Sequence, residues 1–288
     1  MRINPNMASL NIYINQRANE KQMNLSIGRI SSGVTVSSAK DNPNAMAISE
    51  KMQMQIRGLQ MACNNMQDGI SMLQSSEGAL DSVTESLQRI RQLSIQASSA
   101  DTNTSDKQII QNEINQNIEG IDNYIKGNSF NGVNVLYDSS VTDNNSPTLL
   151  HMTSGANIGD KIDIPQYNLS SSMLGGDAVG EKLTDIDVTV AGGTNKALDI
   201  VDKAVSTVTS VRANYGAIEN RFQSQYDNLT TISDVIQKSQ SGLTDTDIAA
   251  EYAEYSKASI LEQSGTAMMA QSNKFPQEVL NILGGMRR

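Results

Sequence analysis

Between Asn44 and Ala97, apolar or small residues recur by threes and fours: Met52, Ile56, Leu59, Cys63, Met66, Ile70 and Leu73, then Leu80, Val83, Leu87, Ile90 and Leu93. Glu77 falls between the two runs. This is helical periodicity close to a heptad seam, sustained beyond an ordinary globular helix. At ~1.5 Å per residue, about fifty helical residues span roughly 75 Å. A helix of that length cannot wrap a compact core, so its stripe needs partner helices along it. The rest of the chain is read as the source of those partners.

Composition agrees. Of 288 residues, 38% are hydrophobic but only 4% aromatic, with no Trp and three Phe, which suits helix-on-helix packing. A net charge of −9 without a basic cluster argues against nucleic acid as a partner. The first 43 residues are the exception, with a net charge of +3. No run of ~18 apolar residues exists to cross a membrane, and the N-terminus lacks the apolar core of a signal peptide. Export from the cell would need another route. Cys63 and His151 are single, which rules out a disulfide framework and most Cys/His metal and nucleophile chemistry.

Read in order, residues 1–36 carry Ile3, Met7, Leu10, Ile14, Leu25 and Ile30 at mostly helical intervals, a weak amphipathic helix. Gly33 to Asp41 breaks it, and Asn42–Pro43 opens the long helix as N-cap and first residue. Thr104 or Ser105 is expected to cap a second helix with Ile110, Ile114, Ile118, Ile121 and Ile125 on one face, ending at Gly127 and folding back antiparallel. Beyond the Asn131–Gly132 turn, short strands are expected at Val133–Leu136, Leu149–Met152, Lys161–Ile164 and Ile186–Val190. Helical spacing returns from Val201 to Ile236, with an interruption expected at Ser239–Gly242. Thr244 with Asp247 reads as a capping box for a last helix carrying Ile248, Tyr252, Ile260, Ala267, Met268, Val279 and Leu283, kinked or restarted at Pro276.

The expected fold is mainly α: a long antiparallel helical bundle or coiled-coil rod, a small β-hairpin region and amphipathic terminal helices. Its parts are residues 1–43 and 241–288 at the ends, 44–129 and 193–240 as rod helices, and 130–192 as the β region. The order is nearly palindromic, so the two chain ends should meet. Their apolar faces, Met7, Leu10, Ile14, Leu25 and Ile30 with Ile248, Tyr252, Ile260, Met268, Val279 and Leu283, exceed what two weak helices can bury. These faces are therefore expected to be covered by neighbouring subunits.

Specific segments carry a resemblance. Arg29-Ile-Ser-Ser-Gly33, Ser38-Ala-Lys-Asp41, Ala47-Ile-Ser-Glu-Lys-Met52, Gln55-Ile-Arg-Gly-Leu59, Asn65-Met-Gln-Asp-Gly-Ile70, Glu77-Gly-Ala-Leu80, Leu87-Gln-Arg-Ile-Arg-Gln-Leu-Ser-Ile-Gln96 and Phe130-Asn-Gly132 resemble the N-terminal half of bacterial flagellin. Gly216-Ala-Ile-Glu-Asn-Arg-Phe222, Asp245-Thr-Asp247 and Ala270-Gln-Ser-Asn273 resemble its C-terminal half, in the same order. The resemblance implies a secreted subunit of the extracellular flagellar filament, serving motility. It also implies type III export with an export chaperone, polymerisation into a helical homopolymer under a filament cap, and terminal helices lining the filament core. The large central domains of longer flagellins are absent or vestigial. Arg89, Leu93 and Glu113 match positions contacted by the animal Toll-like receptor that senses flagellin, although Gln92 stands where many receptor-active relatives have Glu. Two departures are Asp41-Asn-Pro-Asn44, in place of Asp-Asp-Ala-Ala, and the Gly284–Gly285 tail.

By default Cys63 packs as a small hydrophobe, His151 lies at the surface, Arg89 and Arg91 sit on a solvated face, and Glu77 is a solvent-reaching edge residue, with pairing to a neighbouring subunit as the other reading. The linkers at Ser139–Ser146 and Ser170–Ser172 are plain loops, with O-glycosylation a minority reading. No catalytic constellation, metal site or cofactor site is expected. The alternatives to a filament subunit are a hook–filament junction protein of the same family and a cytoplasmic coiled-coil protein.

Overall fold

The computed structural model describes residues 6–99, 103–141, 144, 146–175 and 182–285, with side chains as far as Ile282. Five helices appear among them: α1 Met7–Ser32, α2 Pro43–Ala97, α3 Thr104–Gly127, α4 Gly193–Thr244 and α5 Ile248–Gly285. Strands β1 Thr148–Thr153 and β2 Lys161–Gln166 form one antiparallel hairpin, and a 3-10 turn covers Leu183–Asp185. Contacts divide the chain into two units, 55–234 and 1–54 with 235–288.

In the unit 55–234, α2 supplies a continuous buried stripe that includes Leu59, Met66, Leu73, Leu80, Val83, Leu87, Ile90 and Leu93. The five isoleucines of α3 are all buried. Val201, Ala204, Val208, Val211, Tyr215, Phe222 and Leu229 of α4 complete the core. Pairs fix the helix directions: Arg91 to Asp202 at 2.9 Å, Arg212 to Asp81 at 3.1 Å and Gln74 to Glu219 at 2.7 Å run α4 antiparallel to α2. Arg212 also reaches Glu77 at 3.6 Å, so that seam carboxylate pairs within its own chain. Asn42 caps α2 by accepting from the Ala45 N–H at 3.1 Å, as expected. The cap of α3 is Asn103, which accepts from the Asp106 N–H at 2.9 Å, in place of Thr104 or Ser105.

The core departs from the even seam at Gly69. Ile70 is only half-buried, while Gly69 is buried. A Cβ there would lie 3.0 Å from the Met152 sulfur and 3.1 Å from the Phe222 ring, so side chains from β1 and α4 fill the space a residue at 69 would take.

Two of the four expected strands are β1 and β2, paired from Thr148 with Gln166 to Thr153 with Lys161. The other two are not strands. Phe130 and Val133 exchange backbone bonds at 2.8 and 3.0 Å around Asn131 and Gly132, both at positive φ, and the ladder stops there. The Asn134 side chain then takes the N–H groups of Leu136 (2.9 Å) and Tyr137 (3.0 Å). At Ile186–Val190 the partner is again a side chain: the Gln111 amide donates to Ile186 O at 2.8 Å and accepts from Val188 N–H at 2.9 Å. Side-chain amides thus take some of these backbone groups, while Val135 O and Leu136 O accept from the Tyr167 and Leu169 N–H groups at 3.0 and 3.1 Å without extending the hairpin. The interruption expected at Ser239–Gly242 is also absent. The hydroxyls of Ser239 and Thr244 bond carbonyls one turn back, at 2.8 and 3.0 Å, and α4 continues to Thr244.

Tyr215 ties the hairpin region to α4. Its hydroxyl lies 3.0 Å from Val135 O and 3.1 Å from Pro165 O, and it donates into that pair. Burial, with Tyr167 nearby, pushes the phenol well above its ordinary range, so it remains a neutral donor. Tyr215→Phe should cost about 1–2 kcal/mol, because it removes the donor and keeps the ring. Urea unfolding followed by circular dichroism would measure it.

Asp122 anchors the 170s loop, accepting from the Ser171 N–H at 2.8 Å and from Lys126 Nζ at 3.0 Å. Partial burial raises its carboxyl, but these donors outweigh it and hold the group below 3.8. A depressed folded-state value stabilises the fold above 3.8, and that contribution is lost as pH falls through the folded value. Asp122→Asn should therefore be destabilised at neutral pH, with the gap to the parent shrinking as pH drops below 3.8. Urea midpoints across a pH series read this, and a gap independent of pH would contradict it.

Candidate functional site

The second unit holds both chain ends. The N-cap of α1 is Asn6, whose side chain accepts from the Ser9 N–H at 3.2 Å and donates to Ser272 O at 3.0 Å. At the other end of α1, Gly33 takes φ +74 and returns its N–H to Arg29 O at 2.8 Å. The chain leaving α1 pairs with the chain entering α5: Val34 bridges Asp245, Thr35 N–H donates to Thr244 O at 2.7 Å and Thr246 N–H to Gly33 O at 3.0 Å. Asp247 caps α5 by accepting from Ala249 N–H (2.9 Å) and Ala250 N–H (3.3 Å). Thr244 is the last residue of α4, so the expected capping role falls to Asp247 alone. α1 and α5 therefore lie antiparallel and in contact. Pro276 stands inside α5, which neither stops nor restarts there.

This pairing buries little. Within the described residues the only buried side chains are Ser26 on α1 and Ala258 on α5. Met7, Leu10, Ile14, Leu25, Ile248, Tyr252, Ile260 and Met268 are exposed, Ile260 at 66%. Ile30 and Val279 are half-buried, and the side chain of Leu283 lies outside the described residues. Tyr13, Ile27, Leu261, Phe275, Leu280 and Ile282 are exposed as well, although the spacing argument did not select them. Apolar surface thus runs around both helices, where a single-stripe template finds only part of it. Ile12, Met268, Phe275 and Pro276 line a pocket of about 330 Å³ between the helices.

In the other unit, Arg89 and Glu113 come together: Arg89 Nε and Nη2 donate to Glu113 Oε1 at 2.8 and 2.5 Å across α2 and α3, and both side chains reach solvent. Leu93 is only 1% exposed. Its place in the α2 stripe puts it in the core, whereas Arg89 and Glu113 are at the surface. Cys63 is half-buried, its sulfur 3.9 Å from the Thr230 hydroxyl. His151 is exposed on β1 and bonds Asp163 across the hairpin at 2.5 Å, which holds that carboxyl below its ordinary range. Among the described residues no cluster of His, Cys, Asp or Glu could hold a metal, and no helix is long and apolar enough to cross a membrane.

Family models of the bacterial flagellin N-terminal helical region and C-terminal helical region match residues 3–141 and 198–283. The chain belongs to the bacterial flagellin family. It is 36% identical to the flagellin of Bacillus subtilis over 98% of its own length and all of that protein. It is 35% identical to the flagellar filament 30.7 kDa core protein of Treponema maltophilum, again over 98% of its own length and all of the relative. A putative flagellar hook-associated protein from Vibrio parahaemolyticus shares the fold, with a TM-score of 0.59 and 14% identity, over 71% of this chain and the whole of that one.

Proposed function

We propose that this chain is a structural subunit that polymerises into the bacterial flagellar filament, with no catalytic step. The observation that carries this reading is the apolar surface of α1 and α5, left open by their own pairing. Ordering such helices has an entropic cost that burial between neighbouring subunits would offset. Relatives matching over their full lengths bear the names flagellin and filament core protein, which favours a filament subunit over a junction protein.

In this reading residues 1–43 and 241–288 form the filament-core part, 44–129 and 193–240 the surrounding helices, and 130–192 the solvent-facing region. The subunit reaches the flagellum outside the cell through the flagellar export apparatus with its chaperone, and adds beneath the cap. Arg89 and Glu113 form the exposed pair available to a neighbour or a flagellin-sensing receptor. Electron microscopy of the purified protein after nucleation is the direct test. Helical filaments are expected, and trimming both terminal segments should abolish them. Filaments built from the trimmed protein would overturn the assignment of the ends.

A further inference from the structure

The α1–α5 pair is weakly specified by shape, since only one serine and one alanine are buried along it. Helices with so little interlocking surface can slide past one another by a turn unless something polar fixes them. Among the described residues one charge pair lies between them. Arg29 Nη1 is 3.5 Å from Glu251 Oε1, and the Glu251 side chain is only 13% exposed. That oxygen is shielded from solvent and accepts no hydrogen bond, so the guanidinium charge is its compensation. The Ser26 hydroxyl, one turn before Arg29, is also buried without a partner.

The helix ends favour the same arrangement. Arg29 stands in the last turn of α1 and Glu251 in the first turn of α5, where each helix dipole stabilises the charge present. The contact also fits its surroundings. Asn6 against Ser272, Arg29 against Glu251 and Val34 against Asp245 all fall in one antiparallel register. A slide by one turn would leave the shielded carboxylate without its cation.

We infer that Arg29 and Glu251 are positioning residues that set the register of α1 against α5, and that a subunit without this pair is not accepted into the polymer. This rests on the filament reading above. The test adds trace labelled subunit to growing parent filaments and measures the label that pellets. Arg29→Glu and Glu251→Arg should each cut incorporation by about tenfold or more, because each leaves like charges facing each other at a shielded site. The combined swap, Arg29→Glu with Glu251→Arg, should return to within about threefold of the parent, with the remaining deficit due to charges opposed to the helix dipoles. Parent-like incorporation of either single variant overturns the inference. So does a swap no better than the singles, since a merely bulky or misfolded site would not be rescued by exchanging charges. Circular dichroism melting of each variant shows whether the 55–234 unit is intact. Failure of the parent itself to form filaments would instead count against the filament reading.

Discussion

Ile260→Asp should abolish assembly at ordinary protein concentration while leaving the melting of the isolated subunit unchanged. Ile260 projects from α5 and is 66% exposed, so the lone chain gains almost nothing from it. A lattice that covers it gains about 2–3 kcal/mol from its apolar surface. Aspartate forfeits that and adds the cost of desolvating a carboxylate without a partner, several kcal/mol more. The concentration needed for polymerisation should rise at least about a hundredfold, which corresponds to roughly 2.7 kcal/mol. Ala258 makes the contrast, because at 4% exposure it is already buried against the chain itself. Enlarging Ala258 should disturb the monomer, whereas changing Ile260 should disturb only the polymer. Sedimentation of nucleated samples across concentration reads the effect. An Ile260→Asp protein that polymerises like its parent would mean that this face stays wet in the filament.

The long helices were legible because their signal is repeated: each additional apolar residue at the right spacing strengthens the assignment of α2, α3 and α4. The hairpin was half legible. Leu149–Met152 and Lys161–Ile164 pair with each other, and short runs bounded by Gly, Asn, Asp, Ser and Pro were enough to find them. Val133–Leu136 and Ile186–Val190 have the composition of strands, but the Asn134 side chain takes the Leu136 N–H and the Gln111 amide takes Ile186 O and the Val188 N–H. Asn134 acts from within its own segment, whereas the Gln111 amide acts from α3 and leaves no local pattern. Leu93, matched by position to a contact site, is buried in the α2 stripe, and burial in a partner helix's groove is not readable from a positional match. The Arg29–Glu251 pair was invisible for the same reason as Gln111: it joins residues more than two hundred positions apart. Gly69 is the subtlest case. A glycine carries no hydrophobic signal, yet it sits in the core because two larger side chains need its space.

That arrangement leads to the largest expected loss of subunit stability. Phe222 is fully buried, with its ring and the Met152 sulfur both against Gly69. Phe222→Ala should cost about 3–5 kcal/mol, towards the upper end for such truncations, because residue 69 has no side chain to fall into the void. For a unit of this size the melting temperature should drop by about 10 °C. Gly69 then supplies a check on the mechanism. In the parent, Gly69→Ala gains about 1 kcal/mol of helix propensity but places a methyl 3.0 Å from the Met152 sulfur and 3.1 Å from the fully buried Phe222 ring. Overpacking of that kind costs about 1–3 kcal/mol, so the substitution should be neutral to destabilising. In the Phe222→Ala background the ring is gone, the unbranched Met152 side chain can swing into the space it leaves, and the same methyl partly fills the cavity, so Gly69→Ala should stabilise by about 1 kcal/mol. The sign of one substitution thus depends on the other, as expected of residues sharing a cavity. Urea unfolding followed by circular dichroism suits a chain without tryptophan. Equal effects of Gly69→Ala in both backgrounds, or a Phe222→Ala cost below about 1 kcal/mol, would show that the ring does not occupy the space over residue 69.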